Sequence, residues 1–197
     1  MVRLAGQGAG AVESEEGAIV DAAQDDDAHP HRTVKARRHS AGVLVYRRPG
    51  SPPGELEVLL GHMGGPFWAR RDAGAWSIPK GGYTPDEDAF DAAGREYVEE
   101  VGLPLPPGPY LELGEVLQAN NKVVTAWAVE GDLDPAESVS STFELEWPQG
   151  SGLRQSFPEF DRVAWFDLDS ARTRIVAAQA AFLDRLAERL RPGSDRT

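Results

Sequence analysis

Residues Pro79 to Leu103 read PKGGYTPDEDAFDAAGREYVEEVGL, and this stretch encloses a helix by its own chemistry. Thr84 stands as an N-cap, Pro85 suits the first helical position, and Glu87 follows three residues after the cap. That is a capping box, and it predicts a helix over about 85–101. Gly102 supplies a left-handed C-cap and Pro104 prevents continuation.

The helix faces follow from a rotation of about 100° per residue. With Glu96 at zero, Glu99 falls at about −60° and Glu100 at about +40°, so three carboxylates share one stripe. Phe90, Ala93, Tyr97 and Val101 fall together beside it as an apolar core face. Arg95 lies between Asp91 and Glu99 in an i±4 row, where ion pairs support a helix. Ala89 and Ala92 lie on the carboxylate side, where small side chains would let the Lys80-Gly81-Gly82 loop approach, or where alanine serves simply as a good helix former. Unrelieved, the Glu96–Glu100 repulsion costs about a few tenths of a kcal/mol. A bound divalent cation turns that repulsion into ligation; a solvated acidic face is the alternative reading.

Composition narrows the choice of metal and partner. The chain has 197 residues, 20 Lys+Arg against 32 Asp+Glu, and a formal net charge of −12. Cys is absent, which excludes disulfides and thiolate metal sites. His29, His31, His39 and His62 are too few and too scattered for a histidine cage, so a metal here is expected to be Mg²⁺, Mn²⁺ or Ca²⁺ on oxygen ligands. The acidic balance argues against binding duplex nucleic acid or anionic lipid. No apolar run reaches the roughly 18–20 residues of a membrane helix, and a cytoplasmic domain is the expectation.

Residues 1–38 are rich in Gly, Ala, Asp and Glu and lack aromatics, so a disordered extension is expected there. Arg32, Lys35, Arg37 and Arg38 read as a basic linker at its end. A single domain is expected over 39–191, followed by a tail at 192–197. Strands are expected at 41–47, 56–62, 75–78, 110–118, 122–130, 142–147 and 162–166, with a C-terminal amphipathic helix at about 177–190. One helix embedded among strands and another at the end predict a mixed-sheet α/β sandwich.

The spacing carries more than the helix. Gly81-x5-Glu87-x7-Arg95-Glu96-Tyr97-x-Glu99-Glu100-x-Gly102-Leu103 resembles the Nudix box, G-x5-E-x7-R-E-U-x-E-E-x-G-U, with only Tyr97 stretching the aliphatic preference at U. The resemblance implies a Nudix-type α/β/α sandwich and hydrolysis of a pyrophosphate linkage in a nucleoside diphosphate derivative. It further implies that Glu96, Glu99 and Glu100 ligate Mg²⁺, with Mn²⁺ as substitute and the Gly81 carbonyl as a further ligand. In the same resemblance Glu87, Arg95 and Gly102 are structural.

Downstream, Pro158-Glu159-Phe160-Asp161 followed by Trp165 resembles a segment of bacterial RNA 5′-pyrophosphohydrolases and plant-type diadenosine tetraphosphate hydrolases. In those relatives the glutamate is a metal ligand or the base, which maps onto Glu159. Arg70, Arg71, Lys80 and Lys122 are candidates for binding phosphate, and each could equally serve a surface ion pair. Phe67, Trp68, Tyr83, Trp127 and Phe143 are the aromatics available to a base. The substrate expectation is a dinucleoside polyphosphate or (d)NTP, against a nucleotide sugar, ADP-ribose or an RNA 5′ end. The non-enzyme alternatives are a Nudix-fold nucleotide sensor and an interaction protein that uses its N-terminal tail; monomer and homodimer stay open.

Overall fold

The computed structural model describes residues 37–50 and 55–191. Apart from Arg37 and Arg38, the extension expected over 1–38 lies outside the described residues, as does the expected tail at 192–197. Arg38 is not linker: it opens the first strand opposite Lys122. The elements are β1 (Arg38–Arg47), β2 (Glu57–Met63), β3 (Trp76–Ser77), β4 (Lys80–Gly82), α1 (Ala89–Val101), β5 (Tyr110–Gln118), β6 (Lys122–Glu130), β7 (Thr142–Glu146), β8 (Arg154–Pro158), β9 (Phe160–Asp167), α2 (Leu168–Arg174) and α3 (Ala180–Arg189).

The main sheet is mixed. β1 runs parallel to β6, from Arg38 opposite Lys122 to Tyr46 opposite Glu130. β6 then pairs antiparallel with β5, the two joined by a 3₁₀ turn in which Asn121 takes φ +59°, a left-handed conformation that Asn tolerates. β2 pairs antiparallel with β9 along its length and with β1 only at Tyr46 and Arg47. At the other end of β1, β4 takes over, with Ala41 opposite Gly81. β7 and β8 form a separate two-stranded sheet.

Side-chain alternation along the strands builds a core on each face. Ala41, Val43 and Val45 of β1 meet Ala92, Ala93, Tyr97 and Val101 of α1. Leu44 and Tyr46 point the opposite way and join Ala171 of α2 with Phe182, Leu183 and Leu186 of α3. Phe182, Leu183 and Leu186 have no accessible surface, each worth roughly 1.5–3 kcal/mol on burial. Helices on both faces of a mixed sheet make the expected α/β/α sandwich.

The helix carrying the glutamates begins one turn later than its sequence predicts. Asp88, not Thr84, is the N-cap: its carboxylate accepts the N–H groups of Phe90 at 2.8 Å and Asp91 at 3.2 Å. A carboxylate outcompetes a hydroxyl at the positive end of a helix. Thr84 opens a turn instead, closed by the Glu87 N–H to the Thr84 carbonyl at 3.0 Å. Gly102 is the left-handed C-cap as expected, with φ +76°.

Candidate active site

Three backbone segments meet around the glutamates. α1 presents Glu96 and Glu100, β4 presents Lys80 and Gly81, and Glu159 sits in the single-residue break between β8 and β9. Glu100 is the innermost: it is 7% exposed, and its carboxylate accepts the Lys80 N–H at 2.7 Å. Burial pushes its carboxyl up to about 7, and the charges of Glu159 and Glu96 add to that shift while Lys80 opposes it. Burial also raises Glu159, with Lys80 lowering it and Glu96 raising it. Each of the three carboxylates therefore lies within electrostatic range of another.

Gly81 explains the close approach. A Cβ at this position would fall on the Glu96 carboxylate, so only glycine leaves room for that group against β4. The sequence assigned the close approach to the small side chains Ala89 and Ala92. Ala92 instead enters the core on the sheet side and has no accessible surface.

Arg95 organises the outer rim. It donates to Glu87 at 3.0 and 3.3 Å, Glu96 at 2.6 Å, Glu99 at 3.3 Å and the Gly82 carbonyl at 3.3 Å. The expected pairing with Asp91 is replaced by Glu87, because Asp91 belongs to the capped first turn while Glu87 sits on the turn beside β4. Glu99 is drawn to this rim and is half exposed, at 50%. Among the described residues no three acidic or histidine side chains enclose a point where an ion would sit. The donor set still fits a hard cation: it is all oxygen, Glu100 is buried against like charges, and Gly81 opens a cradle beside Glu96.

Positive charge reaches this cluster from two lysines. Lys122, at the start of β6, is held down at about 8 by burial first and by the neighbouring Lys80 and Arg38 charges, while Glu100 and Glu96 oppose the shift. Lys80 therefore lies within electrostatic range of Glu100, and Lys122 within range of Glu96 and Glu100. Arg70 and Arg71 do not contact them in any described interaction. They lie on a separate loop, where the Arg71 guanidinium sits over Trp68 at 5.5 Å. That loop starts at Gly64, whose N–H donates to the Glu159 carbonyl at 2.8 Å.

A strap that sequence reading missed fixes Glu159 to the helix. Val139 N–H donates to the Val101 carbonyl at 3.1 Å, Ser141 N–H to the Glu99 carbonyl at 2.9 Å, and Glu159 N–H to the Ser141 carbonyl at 2.8 Å. Ser138 Oγ adds a 2.7 Å bond to Val101, and Ser140 Oγ accepts from Phe160 N–H at 3.0 Å. The strap satisfies the carbonyls that the last turn of α1 leaves open. The serine cluster of residues 138–141 was its only visible signal.

The aromatic candidates separate by surroundings. Trp127 is pinned edge-on by Phe90 at 5.3 Å, and Tyr83 lies against His39. Phe67 is 50% exposed and meets Trp147 of the β7–β8 connection at 5.4 Å. Trp165 donates to the Leu133 carbonyl at 3.1 Å beneath Arg47 and serves packing.

Residues 36–186 match the Nudix domain. A stretch of 47 residues is 49% identical to the RNA pyrophosphohydrolase of Pseudomonas putida, covering 23% of this chain and 30% of that relative. The chain thus spans less than a third of the length of the curated relatives it matches. The C. elegans Ap4A hydrolase structure superposes at a TM-score of 0.50 with 21% identity, over 79% of this chain and 100% of that one. The NUDIX domain of Shewanella oneidensis NrtR, complexed with ADP ribose, gives 0.52 with 16% identity, over 83% and 95%. No helix among the described residues is long and apolar enough to cross a membrane. The chain belongs to the Nudix domain family.

Proposed function

We propose that this chain hydrolyses a pyrophosphate linkage in a nucleoside diphosphate derivative, a dinucleoside polyphosphate or (d)NTP, with Mg²⁺ or Mn²⁺ as cofactor. The observation that carries this reading is the meeting of Glu96, Glu100 and Glu159 beside Gly81, with Lys80 and Lys122 as the adjoining positive charge. Glu96, Glu99, Glu100, Glu159 and the Gly81 carbonyl are the groups that would hold the metal. Such an ion supplies charge neutralisation on the phosphates and a more acidic water.

The chain's own residues do the rest. Lys80 and Lys122 bind phosphate oxygens, and an arriving anion favours the charged form of Lys122 that burial disfavours. Glu100, held up at about 7, is suited to take a proton from water near neutral pH; Glu159, whose carboxyl burial also raises, and Glu96 are the other candidates. The Lys80 N–H fixes one Glu100 oxygen and leaves the other to act. In-line displacement at phosphorus depends on positioning and charge more than on a protein nucleophile.

An RNA 5′ end is the second reading, favoured by the identity to the Pseudomonas putida protein. The net charge of −12 weighs against it, because a long phosphate backbone is repelled. The deciding experiment is a panel of dinucleoside polyphosphates, (d)NTPs, nucleotide sugars, ADP-ribose and 5′-triphosphorylated RNA with Mg²⁺, products resolved. Metal-dependent turnover of the first two classes is expected. Nucleotide binding without turnover of any of them would replace the hydrolase by a sensor.

A further inference from the structure

His62 has no role in the Nudix box, yet it is fully buried and bonded at both ring nitrogens. Nδ1 lies 2.7 Å from Asp161 Oδ1, and Nε2 lies 2.7 Å from the Arg71 carbonyl oxygen. A carbonyl only accepts, so Nε2 carries the proton on that side. Nδ1 and Asp161 share a further proton, as imidazolium with carboxylate or as imidazole with carboxylic acid. The Trp76 ring packs edge-on at 5.1 Å, and the Arg162 guanidinium lies 4.0 Å from Asp161. A catalytic His–Asp pair is excluded by this geometry, because the nitrogen that would serve a nucleophile is closed off by backbone.

What the ring joins is informative. Asp161 is two residues beyond Glu159, and Arg71 lies within a loop whose first residue, Gly64, bonds the Glu159 carbonyl. A Cβ on Gly64 would fall on the Pro158 carbonyl, so the loop is pressed against the Glu159 segment at its start. At its far end, Ala75 N–H donates to Asp72 at 3.2 Å, and Met63 N–H donates to Ala75 at 2.9 Å. Between these ends, His62 is the side chain that ties the arginine-bearing part of the loop to the strand after Glu159.

We propose that His62 is a positioning residue: by bonding Asp161 and the Arg71 carbonyl it ties the Arg70–Arg71 loop to the segment that carries Glu159, so that these two cations can serve the phosphates of the substrate. The proposal rests on the hydrolase reading for the substrate and on the bonds alone for the clamp. Glutamine at 62 keeps a donor at the Nε2 position and so keeps the bond to Arg71, while the backbone pairing of residue 62 with Arg162 keeps that end anchored to β9 without the Asp161 bond. Leucine has similar bulk and no donor.

The test compares His62→Leu with His62→Gln by amide exchange and by kinetics. For leucine, exchange over 64–75 should quicken about tenfold with α1 unchanged, and KM should rise about tenfold with kcat within about threefold. Glutamine should restore both to within about threefold of wild type. Equal behaviour of the two variants, wild-type exchange in leucine, or a fall in kcat at unchanged KM would overturn the proposal. Should the leucine variant not fold, His62→Asn replaces it, since its shorter amide reaches Asp161 and not Arg71. If wild type turns over nothing in the panel, the hydrolase reading falls, and loop exchange still decides the clamp.

Discussion

Glu100 and Lys80, twenty residues apart, are joined by one 2.7 Å bond from the Lys80 N–H to the Glu100 carboxylate. The bond crosses from the last turn of α1 to β4, so the same carboxylate that belongs to the acidic stripe also sets the distance between helix and sheet. A buried carboxylate with one charge-assisted partner is held in one orientation. Gly81, the next residue along β4, lies directly against the Glu96 carboxylate.

Gly81→Ala separates the site from the fold. The atoms nearest the new Cβ would be the flexible end of Glu96, which can turn away from β4. Stability should fall by less than about 1 kcal/mol. Turnover should fall by about 10²-fold, since Glu96 leaves the cradle. Melting curves and kcat measured together check this; an active Gly81→Ala enzyme would show that Glu96 is not needed at that position.

Tyr97 fills the hydrophobic position of the box with a hydroxyl that has no hydrogen-bond partner among the described residues. Burial pushes that hydroxyl up to about 12. Removing a buried polar atom without a partner relieves its desolvation cost. Tyr97→Phe should therefore raise stability by about 1 kcal/mol and leave turnover unchanged. Denaturant titration reads the effect, and a loss of stability would reveal a partner for the hydroxyl.

The elements legible in the sequence are those whose pattern is local. The β5–β6 hairpin was bounded correctly because alternation and Asn120-Asn121 coincide, and Gly102 was legible because only a left-handed cap needs glycine there. β4 is Lys-Gly-Gly and has no strand pattern; it exists because β1 offers an edge at Ala41. β8 opens with three exposed polar residues, Arg154 to Ser156, and among the described strands pairs only with β7. α2 has seven residues and was missed because Leu168 and Ala171 alone face inward, although Asp167 caps it by accepting the Ser170 N–H at 2.8 Å. In the site, Glu96 and Glu100 were legible from spacing, whereas the inward place of Glu100 and the outward place of Glu99 were not. Those depend on Lys80 and Arg95, which lie on other faces of the fold. The His62–Asp161 bond spans 99 residues and leaves no local signal.

Gly102→Ala tests the strap. At φ +76° a side chain costs about 1–2 kcal/mol, and its Cβ would also strike the Val139 backbone. A total loss of about 2–4 kcal/mol is expected. Gly150 has φ +78° with open space around it, so Gly150→Ala should cost only the backbone part, about 1–2 kcal/mol. Because the strap carries Glu159, turnover of Gly102→Ala below its melting temperature should also fall. Equal stability of the two variants would mean that the strap yields freely.

The pH dependence of the metal-free protein isolates Glu100. Its carboxyl is held up at about 7 against an ordinary 4.5, first by burial. Between those values the folded state keeps a proton that the unfolded state releases. Stability from this group is complete below about 4.5 and is lost as the pH rises through about 7. Glu159 is shifted the same way and adds to the trend. The contribution of Glu100 is on the order of a few kcal/mol. Glu100→Gln cannot ionise, so between about pH 5 and about pH 8 its metal-free melting temperature should fall less than that of wild type. At the upper end of that range the variant should be the more stable protein. Mg²⁺ should act oppositely, raising the melting temperature of wild type more than that of the variant, because ligation needs the ionised carboxylate. Turnover of the variant should drop by at least about 10²-fold, whether the group takes a proton or positions the ion. If both proteins show the same pH slope and the same Mg²⁺ shift, Glu100 neither titrates in this range nor ligates, and the metal site must be sought around Glu96 and Glu159 alone.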